Sequence, residues 1–407
     1  MKKLLIILLF PLLLAGKAVQ ADDVKLSAEH ALVVEASTGK ILFEKNPNQA
    51  VPVSSISQLL TVYLVYEAID QGKLKLNEKV NISDNARTLS QTIPNDVALN
   101  DNSYTVAELL NAILVSNADG ACVALAEKIA GSEKKFVQQM QTKVKDWKLS
   151  NTTIVNASGQ STKTIDSQAK KDQENLMSAH DAAFVALRLT RDFPKVLTTT
   201  AKDNIGFGGD HLQTSNYMLH GQPNERSTVT GLKTGDSEKG GASFVGTATE
   251  NGLDLITVVL NVVDTKDDYA ARFLETSRLL SYISQTYTPV NLIKEGEAYR
   301  KSQATVINGK TAHISAIAKS NLMIVMKYGS DVNVPVNYRS QTQGYQAPIQ
   351  AGQKVGTATY KDSDLVGDGY LTGQPPTITM VAADNVRRAN FIQVMWNEFV
   401  RYVNEKL

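Results

Sequence analysis

The chain has 407 residues and carries 42 Lys and Arg against 41 Asp and Glu, which gives a formal net charge of +1 at pH 7. A charge this close to balance gives no sign of a nucleic-acid partner. The single cysteine, Cys122, excludes an internal disulfide and lies in an apolar pattern that predicts a small buried side chain. The length exceeds one ordinary hydrophobic core and predicts two domains.

The first 21 residues have the pattern of a secretory signal peptide. Lys2 and Lys3 precede an apolar run from Leu4 to Leu14, and Val19-Gln20-Ala21 offers small residues for cleavage. Removal of residues 1–21, which hold three lysines and no acidic residue, would lower the net charge to −2. The prediction is an exported, extracytoplasmic protein. An N-terminal membrane anchor is the alternative.

From residue 22 to residue 287 the sequence mixes strand and helix patterns, which predicts an α/β domain. "HALVVEASTGKILFEKN" alternates as a β-hairpin does. "TVAELLNAILV" has helical periodicity and opens with a capping box formed by Thr105 and Glu108. "DAAFVALRLTRDF" is also helical, and "ASFVGTATENGLDLITVVLNVV" predicts two strands that turn at Asn251-Gly252.

The last third of the chain changes character twice. Residues 288–383 consist of short β segments separated by turn sequences such as "NGK" and "TGQPP", which predicts a small all-β domain. Residues 384–407 predict an amphipathic helix with Ile392, Met395, Trp396, Phe399 and Val403 on one face. This helix is too polar to span a membrane. It can lie in the membrane interface or dock on the β domain, and the composition leaves both open.

Two segments carry candidate catalytic chemistry. "VSSISQLLTVYLVYEAI" places serines at the start of an apolar helix, where Ser-x-x-Lys would set an amine beside a hydroxyl. Gln58 stands three residues after Ser55, and a glutamine cannot accept the proton of a serine. Lys233-Thr234-Gly235 lies before the strand pair, about 180 residues after Ser55. Two other Ser-x-x-Lys strings lie in polar segments and predict solvated surface. The five histidines have no metal-binding spacing.

The segments "SSISQLLT", "AILVSNADGACVALAEKIAG", "NTTIVNASGQ" and "GLKTG" together resemble the low-molecular-mass penicillin-binding proteins that are D-alanyl-D-alanine carboxypeptidases. The resemblance covers the whole chain after the signal peptide. It implies a penicillin-binding/β-lactamase-like transpeptidase domain, followed by a β domain and a membrane-associating helix. Class A β-lactamases share the three motifs but normally end without the last two parts.

The resemblance also implies roles for residues. Ser55 would attack the carbonyl between the two terminal D-alanines of a peptidoglycan stem peptide, and β-lactams would mimic that peptide. Lys233 would be the lysine of the cleft, and Thr234 and Gly235 would face the substrate. Backbone N–H groups of Ser55 and Asp236 would stabilise the oxyanion. Arg272 would help to hold the substrate carboxylate, with a plain surface salt bridge as the alternative. No cofactor or metal is implied.

The chain departs from the family pattern at four positions. Gln58 replaces the base lysine. In the second motif Asn117 stands where the serine belongs and Asp119 where the asparagine belongs. The alternative alignment takes Ser116-Asn117 as that motif, shifted by one residue. Asp236 follows the third motif, where the family usually has Thr, Ser or His. An engineered Lys-to-Gln trap would explain Gln58 alone.

These departures predict an impaired site. Loss of a positioned base costs about 10²- to 10⁴-fold in rate. Gln58, Asp119 and Asp236 together would make the cleft about three charge units more negative than the family pattern, which disfavours a carboxylate ligand. Lys233 close by is expected to lower the pKa of Asp119 and make it a poor base. Two functions stay open: a weak carboxypeptidase, or an inactive scaffold that binds peptidoglycan or a partner.

Overall fold

The computed structural model describes residues 24–262 and 269–406, so the proposed signal peptide at residues 1–21 lies outside the described part. A five-stranded antiparallel sheet with strand order β2-β1-β11-β10-β9 forms the centre of the first part. Its strands are β1 Ala28–Glu35, β2 Ile41–Lys45, β9 Val229–Ser237, β10 Gly241–Glu250 and β11 Leu253–Val262. The predicted hairpin and the turn at Asn251-Gly252 are both confirmed.

Helices cover both faces of this sheet. Side chains alternate along β1: Leu32 and Val34 belong to one apolar cluster, and Ala31 and Val33 belong to another on the opposite face. The first face carries most of the helices: α1 Gln58–Asp70, α2 Asp84–Thr92, α3 Val106–Ser116, α4 Asp119–Ala130, α5 Glu133–Asp146, α6 Thr162–Ile165, α7 Ala179–Asp192 and α8 Val196–Thr200. The second face carries α9 Ala271–Thr286.

Local chemistry fixes several of these boundaries. Thr105 caps α3 by accepting from the backbone N–H of Glu108, and the Glu108 carboxylate accepts from the N–H of Thr105 at 2.6 Å, so the predicted capping box is confirmed. Cys122 is fully buried in α4, as predicted. Three short ladders complete this part: β3 Val51–Pro52 with β6 Leu176–Met177, β4 Lys79–Asn81 with β5 Ser103–Thr105, and β7 Asn204–Phe207 with β8 Asp210–Gln213.

The second part of the chain is all β up to its final helix. Strand β12 Tyr287–Ile293 pairs with β15 Leu322–Lys327. A six-stranded sheet has the order β16-β18-β19-β14-β13-β17. Its strands are β13 Ala298–Ile307, β14 His313–Ala318, β16 Val336–Arg339, β17 Tyr345–Gln346, β18 Lys354–Tyr360 and β19 Thr377–Ala382. Its side chains form an apolar cluster of their own between Ile293 and Val386.

A buried ion pair joins the two parts. Lys40, in the turn between β1 and β2, lies 2.8 Å from Asp362, and both side chains are almost fully buried. Tyr370 donates a hydrogen bond to the same carboxylate at 2.7 Å. Backbone hydrogen bonds from Ile41 to Gly369 and from Leu371 to Gly39 flank the pair. Since a buried charge is costly without its partner, this contact ties the first hairpin to the β part.

The chain ends in helix α10 Phe391–Lys406. Its large apolar side chains are exposed: Ile392 by 79%, Trp396 by 64% and Phe399 by 58%. The alternative in which this stripe docks on the β domain is therefore wrong. Among the described helices, none is long and apolar enough to cross a membrane.

Candidate active site

A short 3₁₀ turn at Ser54–Ser57 leads into α1 and carries the candidate nucleophile. Ser55 is therefore in the 3₁₀ turn and Gln58 is the first residue of the α-helix, rather than both being in one regular α-helix. Ser54 has a left-handed backbone with φ of 46°. Gly159 presses against it, since a Cβ at this glycine would come within 2.1 Å of the Ser54 carbonyl oxygen. Ser55 is 5% exposed, and the turn that carries it packs against strand β9.

The side chain of Gln58 is completely buried and its amide nitrogen is surrounded by acceptors. It donates to Asp119 Oδ1 at 2.8 Å, to the Ser158 carbonyl at 2.9 Å and more weakly to the Asn117 carbonyl at 3.4 Å. This set of acceptors fixes the orientation of the amide. An amide cannot accept a proton at ordinary pH, so Gln58 cannot act as a base at the position where the resemblance implies a lysine.

Asn117 directly follows the last residue of α3 as its C-cap and has the left-handed conformation, with φ of 59° and ψ of 33°. Asparagine tolerates this region better than most residues, which suits the tight turn between α3 and α4. Its side-chain nitrogen donates to Thr234 Oγ1 at 2.7 Å, so the residue bridges the two walls of the cleft. Its Oδ1 is buried and has no hydrogen-bond partner in the described part of the chain.

Asp119 begins α4 and is 3% exposed. One carboxylate oxygen accepts from Gln58, and the other accepts from Gln160 at 2.8 Å. Burial raises its pKa well above the usual range, and the nearby Asp96 carboxylate raises it further, against smaller opposing effects of Gln160, Lys233 and Gln58. The expectation that Lys233 would lower the pKa of Asp119 is wrong in its net direction, because desolvation outweighs that attraction.

Strand β9 forms the other wall of the cleft. Lys233 is 2% exposed, donates a hydrogen bond to the Ile113 carbonyl, and has its pKa lowered to about 8 by burial. Thr234 accepts from Asn117 and donates to Ser215 Oγ at 2.9 Å. Gly235 lets the strand approach the 3₁₀ turn, because a Cβ there would lie 2.5 Å from the Val53 carbonyl oxygen.

Asp236 and Arg272 form an ion pair at the mouth of the cleft. The guanidinium donates through Nη1 to Asp236 Oδ2 at 2.9 Å and through Nη2 to Oδ1, a bidentate arrangement. Arg272 therefore forms a salt bridge, as the alternative expected, but its own side chain is buried, with 1% of the residue exposed. The Asp236 side chain is 56% exposed and faces solvent.

The charge expected for the cleft needs correction at Asp119. Its raised pKa makes the carboxyl harder to ionise than an ordinary aspartate. The cleft is therefore less negative than the count of three extra units predicts. Asp236 is paired with Arg272, but this does not change the count, since the resemblance implies the arginine in the family as well.

Several residues of the site carry no motif. Asp96 accepts from the backbone N–H groups of Asp119 at 2.8 Å and Gly120 at 3.0 Å, and burial raises its pKa to about 6. Tyr269 covers the face of the Arg272 guanidinium at 4.3 Å and donates to the Ser215 carbonyl at 3.0 Å. Tyr269 lies three residues before Arg272 in the sequence, and this proximity is its only signal. Asp96 has no signal in the sequence.

A cavity of about 630 Å³ continues the cleft beyond Ser215 and Tyr269. Its other lining residues come mainly from the 95–104 segment and the β7–β8 hairpin. Within residues 24–262 and 269–406, no three His, Cys, Asp or Glu side chains lie together as metal ligands would.

Two models of known protein families match the sequence of this chain. A family model described as D-alanyl-D-alanine carboxypeptidase matches residues 16–264. The chain belongs to the D-alanyl-D-alanine carboxypeptidase family. A second model, described as the C-terminal domain of penicillin-binding protein 5, matches residues 287–388. The predicted family and fold class are thereby confirmed.

Individual relatives agree with the family. The D-alanyl-D-alanine carboxypeptidase DacF of Bacillus subtilis is 27% identical, over 98% of this chain and 100% of its own length. Among solved structures, PBP3 of Streptococcus pneumoniae, described as a peptidoglycan synthesis regulatory factor, is 41% identical with a TM-score of 0.84, over 89% of this chain and 100% of that one. Penicillin-binding protein D2 of Listeria monocytogenes, solved with bound cefotaxime, is 28% identical with a TM-score of 0.54, over 64% of this chain and 98% of that one.

Proposed function

We propose that the cleft between the α3–α4 turn and β9 binds peptidoglycan stem peptides ending in D-Ala-D-Ala, and that the carboxypeptidase chemistry there is weak or lost. Family membership supports the substrate class. The 3₁₀ turn that carries Ser55 packs against strand β9, which carries Lys233 and Thr234. The neighbouring cavity of about 630 Å³, which is lined by Ser215 and Tyr269 and not by Ser55, provides room for a further part of an extended peptide.

The observation that carries the proposal is the buried amide of Gln58. Its nitrogen donates hydrogen bonds to three acceptors in the position of the family's base lysine, and an amide cannot take the proton of Ser55 at ordinary pH. Loss of that base alone costs about 10²- to 10⁴-fold in rate. Lys233 donates a hydrogen bond to the Ile113 carbonyl, and no hydrogen bond joins its amine to Ser55 in the described part of the chain.

A second candidate function is an inactive scaffold that holds peptidoglycan or a partner at the cell surface. The exposed apolar stripe of α10 favours it, since a helix with such a face can adsorb to a membrane and keep the protein near the wall. On this proposal the protein is exported after removal of residues 1–21 and associates peripherally with the outer face of the membrane.

We further propose the domain borders 22–287 for the catalytic-type domain, 288–383 for the β domain and 384–407 for the terminal helix. The two family matches, which meet between residues 264 and 287, support the first border. The separate apolar cluster of the β part supports an independent core.

Covalent labelling with a fluorescent penicillin tests the catalytic proposal. We expect acylation at least about 10²-fold slower than in a family member with an intact Ser-x-x-Lys. Any adduct should lie on Ser55 by mass spectrometry and should vanish in Ser55→Ala. Ser116→Ala is the control, because the alternative alignment gives Ser116 a role and the preferred one does not. Labelling at a rate normal for the family would refute the proposed loss of activity.

Binding needs its own measurement, independent of chemistry. The protein should co-sediment with purified peptidoglycan, and a tripeptide ending in D-Ala-D-Ala should shift resonances of the cleft residues in an NMR titration. Absence of peptidoglycan binding, together with absence of shifts for both this tripeptide and its C-terminal carboxamide, would exclude stem peptides as the ligand, whatever the outcome with penicillin.

A further inference from the structure

Every nitrogen of the Arg272 guanidinium already has an acceptor within the chain. Besides the two bonds to Asp236, Nη1 donates to the Gly235 carbonyl at 2.9 Å and to the Ser243 carbonyl at 3.3 Å. Nε donates to the Tyr269 carbonyl at 3.3 Å. The aromatic ring of Tyr269 covers the face of the group. Nη2 carries two N–H groups and has Asp236 Oδ1 as its acceptor, while Arg272 itself is 1% exposed. A ligand carboxylate that approaches this arginine from solvent therefore meets Asp236.

Asp236 is the partner of Arg272 that a ligand would meet first. Its carboxylate is the acceptor of Arg272 that belongs to an exposed side chain, because 56% of it faces solvent while Arg272 is buried. The resemblance implies Thr, Ser or His at this position and an arginine that helps to hold the substrate carboxylate. Here the chain supplies its own carboxylate at that place.

Thr234, the other group expected to face a substrate carboxylate, is also occupied. Its hydroxyl donates to Ser215 and accepts from Asn117, and the side chain is fully buried. One hydroxyl has a single proton to donate, so a ligand carboxylate would have to replace Ser215 as its acceptor. Both carboxylate-binding groups of the cleft are therefore engaged internally.

We propose that Asp236 is a specificity-determining residue: it makes the cleft disfavour peptides that end in a free carboxylate and accept peptides whose C-terminus is uncharged, such as a carboxamide. This inference rests on the proposed binding of stem peptides. A terminal carboxylate at this place would lie close to the like-charged Asp236, whether or not it broke the bidentate pair. A terminal amide leaves the pair intact and can donate its N–H to the exposed edge of Asp236.

The test compares two probes that differ only at one end. The first is diacetyl-L-lysyl-D-alanyl-D-alanine with its free carboxylate, and the second is the same tripeptide with a C-terminal carboxamide. Dissociation constants are measured by NMR titration for the wild type, Asp236→Asn and Glu238→Gln. Glu238 is a matched control, since it is exposed, lies two residues away and has no hydrogen bond to Arg272 in the described part of the chain.

We expect the wild type to bind the carboxamide about tenfold or more tightly than the carboxylate. Asp236→Asn should bind the carboxylate about tenfold more tightly than the wild type does and lose the preference, whereas Glu238→Gln should keep it. Equal affinities in the wild type, or tighter binding of the carboxylate, would overturn the inference while leaving stem-peptide binding intact. The inference would also be overturned if Glu238→Gln bound the carboxylate probe as tightly as Asp236→Asn does, because the effect would then arise from the net charge of the protein. If neither probe binds to the wild type or to either variant, the proposed function itself fails. The wild-type comparison needs no substitution, so an unstable variant would not weaken the test.

Discussion

At the scale of single residues, Gln58 and Asp119 are best understood as a pair. The resemblance implies a lysine and an asparagine at these two positions. Here the amide of Gln58 donates to the carboxyl of Asp119 at 2.8 Å. Because the two side chains are in direct contact, substitutions at the two positions are expected to have non-additive effects.

This coupling predicts how activity can be restored. Gln58→Lys alone should recover little acylation, because the new amine would pair with Asp119, and an adjacent carboxylate raises the pKa of a lysine. The triple change Gln58→Lys, Asn117→Ser, Asp119→Asn should accelerate penicillin acylation by much more than the product of the separate effects, since catalytic groups act as a unit. The measurement is the second-order acylation rate. A triple variant no faster than the wild type would place the second motif elsewhere.

Asp119 also makes stability depend on pH. Its folded-state pKa lies above its unfolded value, so the native state binds more protons and stability is lost as pH rises through the interval between the two. Asp119→Asn should therefore stabilise the protein at pH 8, by about 1–3 kcal/mol, and much less at pH 4.5. Urea denaturation at both values checks this, with Glu238→Gln as the surface control. An Asp119→Asn protein that loses the same stability at both values would contradict the raised pKa.

At the scale of elements, sequence patterns predicted those features that neighbouring residues determine. The capping box of α3 and the turn at Asn251-Gly252 depend on residues close together in the chain, and both are present. The environment of Arg272 depends on strand β9 packing beside α9, and the pKa of Asp119 depends on burial and on Asp96. Neither is encoded locally. The motif residues of the sequence include the contacting pairs Gln58–Asp119 and Asn117–Thr234, whereas the sequence did not predict the partner of Arg272 or the raised pKa of Asp119.

Gly159 provides a test of how the 3₁₀ turn is held. Gly159→Ala would place a Cβ 2.1 Å from the Ser54 carbonyl oxygen and would keep a φ of +91°. We expect a loss of about 2–4 kcal/mol in the free energy of unfolding, together with weaker binding in the cleft, because the backbone of Ser54 has to move. Gly72→Ala is the control: its φ of +70° is similarly unfavourable, but no atom lies within 4 Å of its Cβ. It should lose only about 1 kcal/mol. Equal losses in urea denaturation would mean that Gly159 is needed for its conformation alone.

At the scale of the whole molecule, the cleft and the terminal helix belong to parts linked by a buried contact. Lys40 and Asp362 fix the first hairpin against the β part, and that hairpin belongs to the sheet that carries β9. The β part in turn ends in α10. A helix adsorbed to a membrane would therefore hold the cleft in a limited range of distances from the surface rather than on a free tether.

Removal of α10 should separate membrane binding from folding. The chain is anchored up to residue 389 by backbone bonds, including those from Ala389 to Asn308 and between Gly309 and Arg388, so the cut belongs after residue 390. A protein lacking residues 391–407 should no longer co-sediment with anionic vesicles, and its melting temperature should change by no more than about 2 °C, because the apolar stripe covers none of the core.

Two double substitutions test whether vesicle binding depends on the apolar stripe of α10 or on either side of the helix equally. Ile392→Glu with Phe399→Glu should abolish vesicle binding, because both side chains would carry a charge into the apolar layer. Gln393→Glu with Asn397→Glu adds the same charge to the other side of the helix and should weaken binding only through repulsion from the anionic lipid, an effect that salt removes. If the two double variants behave alike in high salt, adsorption does not depend on the apolar stripe. A truncated protein that stays on the vesicles would show that adsorption does not need α10. A truncated protein that melts many degrees lower would make α10 a structural element of the β domain.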